Sequence, residues 1–188
     1  MNKIELRKKC REIIGGTPPE KFIDWGEKIS AVVIASDEWK NAETVFIFVS
    51  TKNEPDTKLL LLNALKEGKR LCVPRITGDG TIDAVEIKNF SALKNGKFGI
   101  LEPNEDCKAV EKSEIDLILL PCFAADESGN RLGKGGGFYD RFCEETDCKK
   151  IIICPEIFLM KSGEIPTEAH DVAAENVATE KRFIRVRR

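Results

Sequence analysis

Residues 129–141 read Gly-Asn-Arg-Leu-Gly-Lys-Gly-Gly-Gly-Phe-Tyr-Asp-Arg, with five glycines inside nine positions. Glycine lacks a Cβ, so such a stretch brings backbone amides close to a ligand and tolerates positive φ. Arg131 and Lys134 add two cations beside those amides. A helix beginning near Gly137 would add its partial positive charge. Backbone donors, a helix start and cations together suit a polyphosphate. The stretch differs from the common nucleotide loop, because Gly129 and Gly133 enclose three residues instead of four. Lys134 is also followed by Gly135, where a metal-holding Ser or Thr would stand. Mg²⁺ would then take its ligands elsewhere, and Asp140 is the nearest carboxylate. The plain alternative is a flexible turn with solvated charges. Three consecutive glycines between Lys134 and Phe138-Tyr139-Asp140-Arg141 favour the cradle.

The elements that must position this segment follow from periodicity. A charged helix is expected over Lys3 to Ile14, stopping at Gly15-Gly16. Thr17 is a plausible cap for a second helix with Pro18 at its first position, and Phe22, Trp25, Ile29, Val32 and Val33 recur at helical spacing. Strands are expected at Val45 to Val49, Arg70 to Pro74, Ile115 to Leu120 and Lys150 to Cys154, with helices at Asp56 to Lys66 and Gly137 to Glu145. Short apolar runs between helices predict an α/β domain spanning residues 1–188: a three-layer α/β/α sandwich around a mainly parallel sheet. Thr81 to Ile87 alternates and suits an added antiparallel hairpin or edge strand, and Arg182 to Val186 a final strand. The glycine segment follows the strand at Ile115 to Leu120, where ligands gather beyond strand C-termini.

Composition narrows the functions. The chain has 188 residues, is 41% hydrophobic and 33% charged, and carries a net charge of −2. Interspersed charge of that kind argues against a nucleic-acid surface, while leaving room for a local cationic pocket. Seven cysteines without a C-x-x-C pair suit reduced thiols in a cytoplasmic protein. Cys143 and Cys148 could pair or bind metal, but a single His makes a structural zinc site poorly furnished. The charged stretch Met1 to Arg11 has no apolar segment of a signal peptide. The run Ile115 to Ala125 contains Asp116 and Pro121 and is too short for a bilayer. No membrane association is expected.

Arg131-Leu-Gly-Lys-Gly-Gly-Gly-Phe-Tyr-Asp140 resembles the signature of the 5-formyltetrahydrofolate cyclo-ligase family, and the likeness extends over nearly the whole chain. Lys3 and Arg7 resemble its N-terminal basic pair, and Glu54 its folate-contacting acid. Val73-Pro74-Arg75 and the stretch from Gly96 to Pro103 are further landmarks, and His170-Asp171 resembles the late metal-binding position. The glycine signature is specific; the others gain weight from their order.

The resemblance implies conversion of 5-formyltetrahydrofolate, in its mono- or polyglutamylated form, to 5,10-methenyltetrahydrofolate while ATP becomes ADP and phosphate. It implies phosphorylation of the formyl oxygen and ring closure by N10. By similarity, Lys3, Arg7, Arg131, Leu132, Gly133, Lys134, Gly135, Gly136, Gly137, Phe138 and Tyr139 would contact ATP. Val49, Glu54, Lys134, Gly135, Gly136, Gly137 and Phe138 would line the folate site. Lys134 and Arg131 would stabilise the transferred charge, and Asp140 and Asp171 would hold Mg²⁺. In isolation, Lys3 and Arg7 read equally as a solvated helix face, Glu54 as a loop acid before Pro55, and Asp171 as a turn residue. His170 reads as a hydrogen-bonded loop residue. Phe138 stands where the family commonly has Tyr, and Glu175 where an Asp is common. A monomer is expected, with a dimer as the alternative. The rival readings are an inactive nucleotide- or RNA-binding module on the same scaffold and an enzyme acting on a phosphosugar.

Overall fold

Asn2 starts the first helix. Its side chain accepts from the Glu5 amide and the Glu5 carboxylate accepts from the Asn2 amide, a reciprocal cap that launches α1 (Lys3–Gly16). The structure is a computed structural model and describes residues 1–78, 80–96 and 101–186. The helix runs through Gly15 and Gly16, two residues past the expected end at Ile14, because the Thr17 hydroxyl donates to the Ile13 carbonyl at 2.7 Å. Thr17 therefore closes α1 and does not cap α2 (Pro19–Ala35), whose N-cap is Pro18 and whose first helical residue is Pro19. The apolar row of α2 buries Phe22, Trp25, Ile29 and Val33, with Val32 at its margin. Ser36 caps a short α3 (Asp37–Asn41) that the sequence reading did not anticipate; its Trp39 is fully buried.

Thirteen strands follow among the described residues: β1 (Thr44–Ile47), β2 (Arg70–Gly78), β3 (Thr81–Glu86), β4 (Leu93–Asn95), β5 (Leu101–Pro103), β6 (Ala109–Val110), β7 (Leu117–Pro121), β8 (Ala124–Asp126), β9 (Arg131–Leu132), β10 (Lys149–Ile153), β11 (Leu159–Met160), β12 (Asn176–Ala178) and β13 (Phe183–Arg185). Two more helices, α4 (Lys58–Lys66) and α5 (Phe138–Glu144), complete the frame. The main sheet has the order β13-β12-β10-β7-β1-β2-β3-β6. The five strands from β12 to β2 are parallel, and antiparallel strands finish both sides. The expected α/β/α sandwich with a mainly parallel sheet is thus the architecture. Thr81 to Ile87 supplies the hairpin strand β3, but the edge belongs to β6. The first strand ends at Ile47, short of the expected Val49, because the Thr57 hydroxyl takes the Phe48 carbonyl at 2.9 Å and turns the chain out of the sheet.

Topology places the crevice. The chain runs from β1 through α4 to its parallel neighbour β2 in one direction, and from β7 through α5 to its parallel neighbour β10 in the other. Right-handed crossovers of opposite travel put α4 and α5 on opposite faces. Phe46 meets α5 through Phe142 at 4.7 Å and Tyr139 at 6.3 Å; its neighbours Val45 and Ile47 point to the other face. Since β1 and β7 lie side by side, the connections leaving their C-termini diverge, and a ligand crevice opens between them. The core along this seam is apolar on both faces, with Leu117 to Leu120 and Ile151 to Ile152 fully buried.

Candidate active site

The glycine segment is launched from a small second sheet of β11, β8 and β9. Its turn is organised by Asp126, which is fully buried. One oxygen of Asp126 accepts from the Ser128 and Asn130 amides, and the other from the Asn130 side chain and the Gly163 amide. Gly129 has φ +80°, and a Cβ there would lie 2.1 Å from the Ala174 carbonyl oxygen. Gly129 therefore serves this turn and not a ligand. Leu132 is a core side chain whose carbonyl accepts from the Phe123 amide at 2.7 Å. Past Leu132 the chain emerges: Lys134, Gly135 and Gly136 are exposed. Gly135 and Gly137 adopt φ +106° and +67°, a left-handed conformation costly for other residues. Arg141 holds this exposed loop from behind, donating to the Gly80 carbonyl at 2.8 Å and to the Gly136 carbonyl.

Two ion pairs meet the segment. Arg131 Nη2 lies 2.8 Å from Asp140 Oδ1, with side-chain exposures of 5% and 17%. The guanidinium also sits 5.8 Å from the Tyr139 ring centroid. Its buried Nε has no hydrogen-bond partner among the described residues. Lys134 Nζ lies 2.6 Å from Glu54 Oε1, and Glu54 Oε2 accepts from the amide and hydroxyl of Thr51. Glu54 is buried in the loop leaving β1, while Lys134 remains half-exposed. Tyr139 bridges the two pairs electrostatically. Burial pushes its phenol above the ordinary range and the Glu54 carboxylate adds to this, partly offset by Arg131.

The N-terminal helix brings its basic residues to the same place. Arg7 Nε donates to the Gly133 carbonyl at 2.9 Å, and its guanidinium carbon lies 3.6 Å from where a Gly135 Cβ would stand. Lys3 lies 2.6 Å from Asp171 and 3.0 Å from Glu168. Burial pushes the Asp171 carboxyl up, but hydrogen bonds from the Lys3 ammonium and the Glu168 amide bring it below the usual carboxylate range. The Val172 amide donates to Asp140 Oδ1 at 3.3 Å, so the two carboxylates assigned to metal share one patch. His170 Nε2 is 3.3 Å from Glu168, and one ligand atom from each of Glu168, His170 and Asp171 falls within 4.8 Å of the others.

Carboxylate oxygens are what a hard divalent cation takes, and the cluster within 4.8 Å is Glu168, His170 and Asp171, with Asp140 outside it and linked to it through the Val172 amide. Asp140 Oδ1 is fixed by Arg131 and the Val172 amide, and Asp171 Oδ2 by Lys3 and the Glu168 amide. Asp140 Oδ2 has no hydrogen-bond donor among the described residues, and Asp171 Oδ1 faces His170 Nε2 at 3.9 Å. Glu175 is not part of this patch. It accepts from the Lys150 amide at 3.0 Å and ties β12 to β10.

Beyond the Lys134–Glu54 pair lies a cleft of about 350 Å³ in the crevice between the β1 and β7 connections. Arg11 and Ile14 of α1, Thr51 and Asn53 after β1, Phe123 after β7, and Lys134 are among its walls. Val49 is a buried core residue and not among those walls, and Phe138 packs half-buried beside Gly136. The structure brings the glycine segment, Glu54, Arg7 and Lys3 together with Asp140 and Asp171, and adds Asp126, Arg141, Phe123 and Thr51, which sequence reasoning missed. Asp126 lies within the loop flagged before the glycines, and Arg141 ends the motif; both were visible as positions without a role. Val73-Pro74-Arg75 lies inside the β2–β3 hairpin, where Arg75 donates to the Cys107 carbonyl. Of the stretch from Gly96 to Pro103, residues 97–100 lie outside the described residues.

Among known proteins, the family described as the 5-formyltetrahydrofolate cyclo-ligase family matches residues 1–180. The chain is 34% identical to the 5-formyltetrahydrofolate cyclo-ligase of Mycolicibacterium smegmatis over 77% of each protein. It is 25% identical to the mouse enzyme of that name over 93% of this chain and 92% of the other. A solved structure of 5,10-methenyltetrahydrofolate synthetase from Aquifex aeolicus superposes with a TM-score of 0.88 at 30% identity, covering 100% of this chain and 94% of that one. With the fold, the glycine segment and the whole-length match in agreement, this chain belongs to the 5-formyltetrahydrofolate cyclo-ligase family.

Proposed function

We propose that this enzyme closes 5-formyltetrahydrofolate to 5,10-methenyltetrahydrofolate at the expense of ATP, in the crevice between β1 and β7. The observation that carries the reading is the meeting of the Lys134–Glu54 and Arg131–Asp140 pairs at the mouth of that crevice, joined by the Arg7 bond to Gly133. A formyl oxygen on an amide nitrogen is a poor leaving group, so the oxygen must first be activated. Transfer of the γ-phosphoryl group to that oxygen breaks the bond to ADP and leaves an imino-phosphate on N5. N10 then attacks the formyl carbon, loses its proton, and phosphate departs as the ring closes.

Phosphoryl transfer of this kind asks the protein for position and charge more than for covalent chemistry. Lys3 and Arg7 lie along one face of α1 and suit the terminal phosphates. Lys134 suits the developing charge on the transferred group, since its acidic partner Glu54 can exchange it for substrate. Glu54, fixed by Thr51, suits hydrogen bonding to the pterin. Asp140 and Asp171 would hold Mg²⁺, which when bound supplies neutralising charge to the phosphate oxygens. The phenyl ring of Phe138 offers packing in place of the hydroxyl common there in relatives. The test is direct: the purified protein incubated with MgATP and 5-formyltetrahydrofolate should generate the methenyl absorbance with stoichiometric ADP. Absence of product with both the mono- and polyglutamylated substrate would overturn the reading.

A further inference from the structure

Among the described residues, one cation of the site has no anionic partner. Lys3, Arg7 and Arg11 recur every four residues and so form a row on one face of α1. Like charges at that spacing repel, so the row costs the helix stability unless something answers it. Lys3 is answered by Asp171 and Glu168, and Arg7 by the Gly133 carbonyl. Arg11 is exposed, and among the described residues it has no carboxylate within salt-bridge reach and no hydrogen bond, so water alone solvates its guanidinium. Its guanidinium instead lies 5.6 Å from the centroid of the Phe123 ring. Phe123 itself is a half-buried aromatic at the end of β7, where a core strand delivers it into the cleft of about 350 Å³. The cleft runs from Lys134 at the glycine segment to Arg11, Ile14 and Gly15 at the far end of α1, with Thr51 and Asn53 as polar walls.

An aromatic platform, an aliphatic wall and an unanswered guanidinium fit an amphipathic anion: a flat ring ending in a carboxylate. The cleft's volume is at the small end of ligand sites and suits part of a folate, not all of it. The reacting half belongs at Lys134 and Glu54 on the reading above. The geometry points to Arg11 and Phe123 as the subsite for the other half of the substrate, the aminobenzoyl ring lying on Phe123 and a glutamate carboxylate pairing with Arg11. The nucleotide is the competing occupant, with adenine on the aromatic wall, but its phosphates are already answered by Lys3 and Arg7 on the reading above, and ADP affinity separates the two. This assignment rests on the cyclo-ligase reading of the same crevice.

The experiment compares 5-formyltetrahydrofolate with its glutamate diamide, which keeps the ring and N10 but loses both side-chain charges. In the wild type, KM for the acid should be about tenfold below that for the diamide, the scale of one charge-assisted hydrogen bond at a partly exposed site. Arg11→Ala should raise KM for the acid by about that factor and so erase the discrimination, while Arg11→Lys should retain part of it. Phe123→Ala should raise KM for both substrates, and ADP affinity, measured by calorimetry, should not change in Arg11→Ala. Full turnover with undiminished acid-over-diamide discrimination in Arg11→Ala overturns the subsite and leaves the enzyme assignment standing. A loss of ADP affinity in that variant assigns the cleft to the nucleotide and overturns it too. No methenyl product from the wild type overturns the enzyme assignment and the subsite together.

Discussion

Asp140 does two jobs, and they separate under mutation. Its carboxylate neutralises the nearly buried Arg131 and accepts from the Val172 amide, and on the proposed reading it also holds Mg²⁺. Removing one partner of a buried pair leaves an uncompensated charge, so Asp140→Ala should destabilise the fold by about 3 kcal/mol in urea titration. It should also lower turnover by two to three orders of magnitude, roughly the cost of losing one charge-stabilising group. Asp140→Asn keeps the shape and a hydrogen-bond acceptor for Arg131 but offers a metal only a weak amide oxygen. That variant should recover part of the stability and little of the activity. Equal activity of Asp140→Asn and wild type at limiting Mg²⁺ would dismiss the metal role and leave only the structural one. The sequence made the carboxylate legible as a candidate ligand because it stands three residues after the last glycine. It did not reveal the Arg131 pairing, because contact between positions 131 and 140 depends on how the loop folds back, and nothing in local periodicity encodes that.

The glycine loop is an element with a fixed base and a free crest. Gly137 is the left-handed cap of α5, so glycine is required by φ, and a Cβ there would lie 2.6 Å from Arg141 Nη1 and push that guanidinium aside. Arg141 in turn bonds the Gly80 carbonyl in the β2–β3 connection and the Gly136 carbonyl in the loop, pinning one to the other. Truncating it frees the crest, where Lys134 is an exposed tryptic site. Arg141→Ala should therefore be cleaved after Lys134 several-fold faster than wild type, with global stability changed by less than about 1 kcal/mol, as expected of a partly exposed hydrogen bond. Mass spectrometry of limited digests reads the site, and identical cleavage rates would mean the loop is held by its own backbone instead. The long elements were legible because each repeats its signal: the apolar row of α2 and the continuous runs of β1, β7 and β10. The sheet of β8, β9 and β11 was not, since strands of two or three residues are shorter than one period of any pattern and are held by Asp126 through tertiary bonds. The Gly15-Gly16 stop failed for a similar reason: a single hydroxyl bond from Thr17 outweighed glycine's reluctance to stay helical.

At the scale of the whole molecule, the sheet that builds the crevice is also a store of buried thiols. Cys72 lies fully buried in β2, Cys143 in α5 and Cys154 just beyond β10, and all the cysteines are free. Burial pushes the Cys72 thiol up to about 12 and Cys143 up to about 11, and raises Cys154 as well. In the unfolded chain each thiol ionises near its ordinary value of 9.0. Above that pH the unfolded state loses protons that the folded state keeps, so the unfolded state gains free energy of ionisation and stability falls as pH rises. The stabilisation is whole below pH 9 and declines upward through the folded values, at most about 1.4 kcal/mol per pH unit for each thiol. Urea unfolding under reducing conditions at pH 8 and pH 10 should therefore show a drop in midpoint for the wild type. Cys72→Ala with Cys143→Ala should start lower, from two lost core sulfurs, yet fall less between the two pH values. Lysine and tyrosine titrations are common to both proteins and cancel in that difference. A variant whose midpoint falls as steeply as the wild type would mean that the packed seam between β1, β2 and β7 admits enough water to ionise its thiols, and with it that the crevice above is less tightly founded than the geometry indicates.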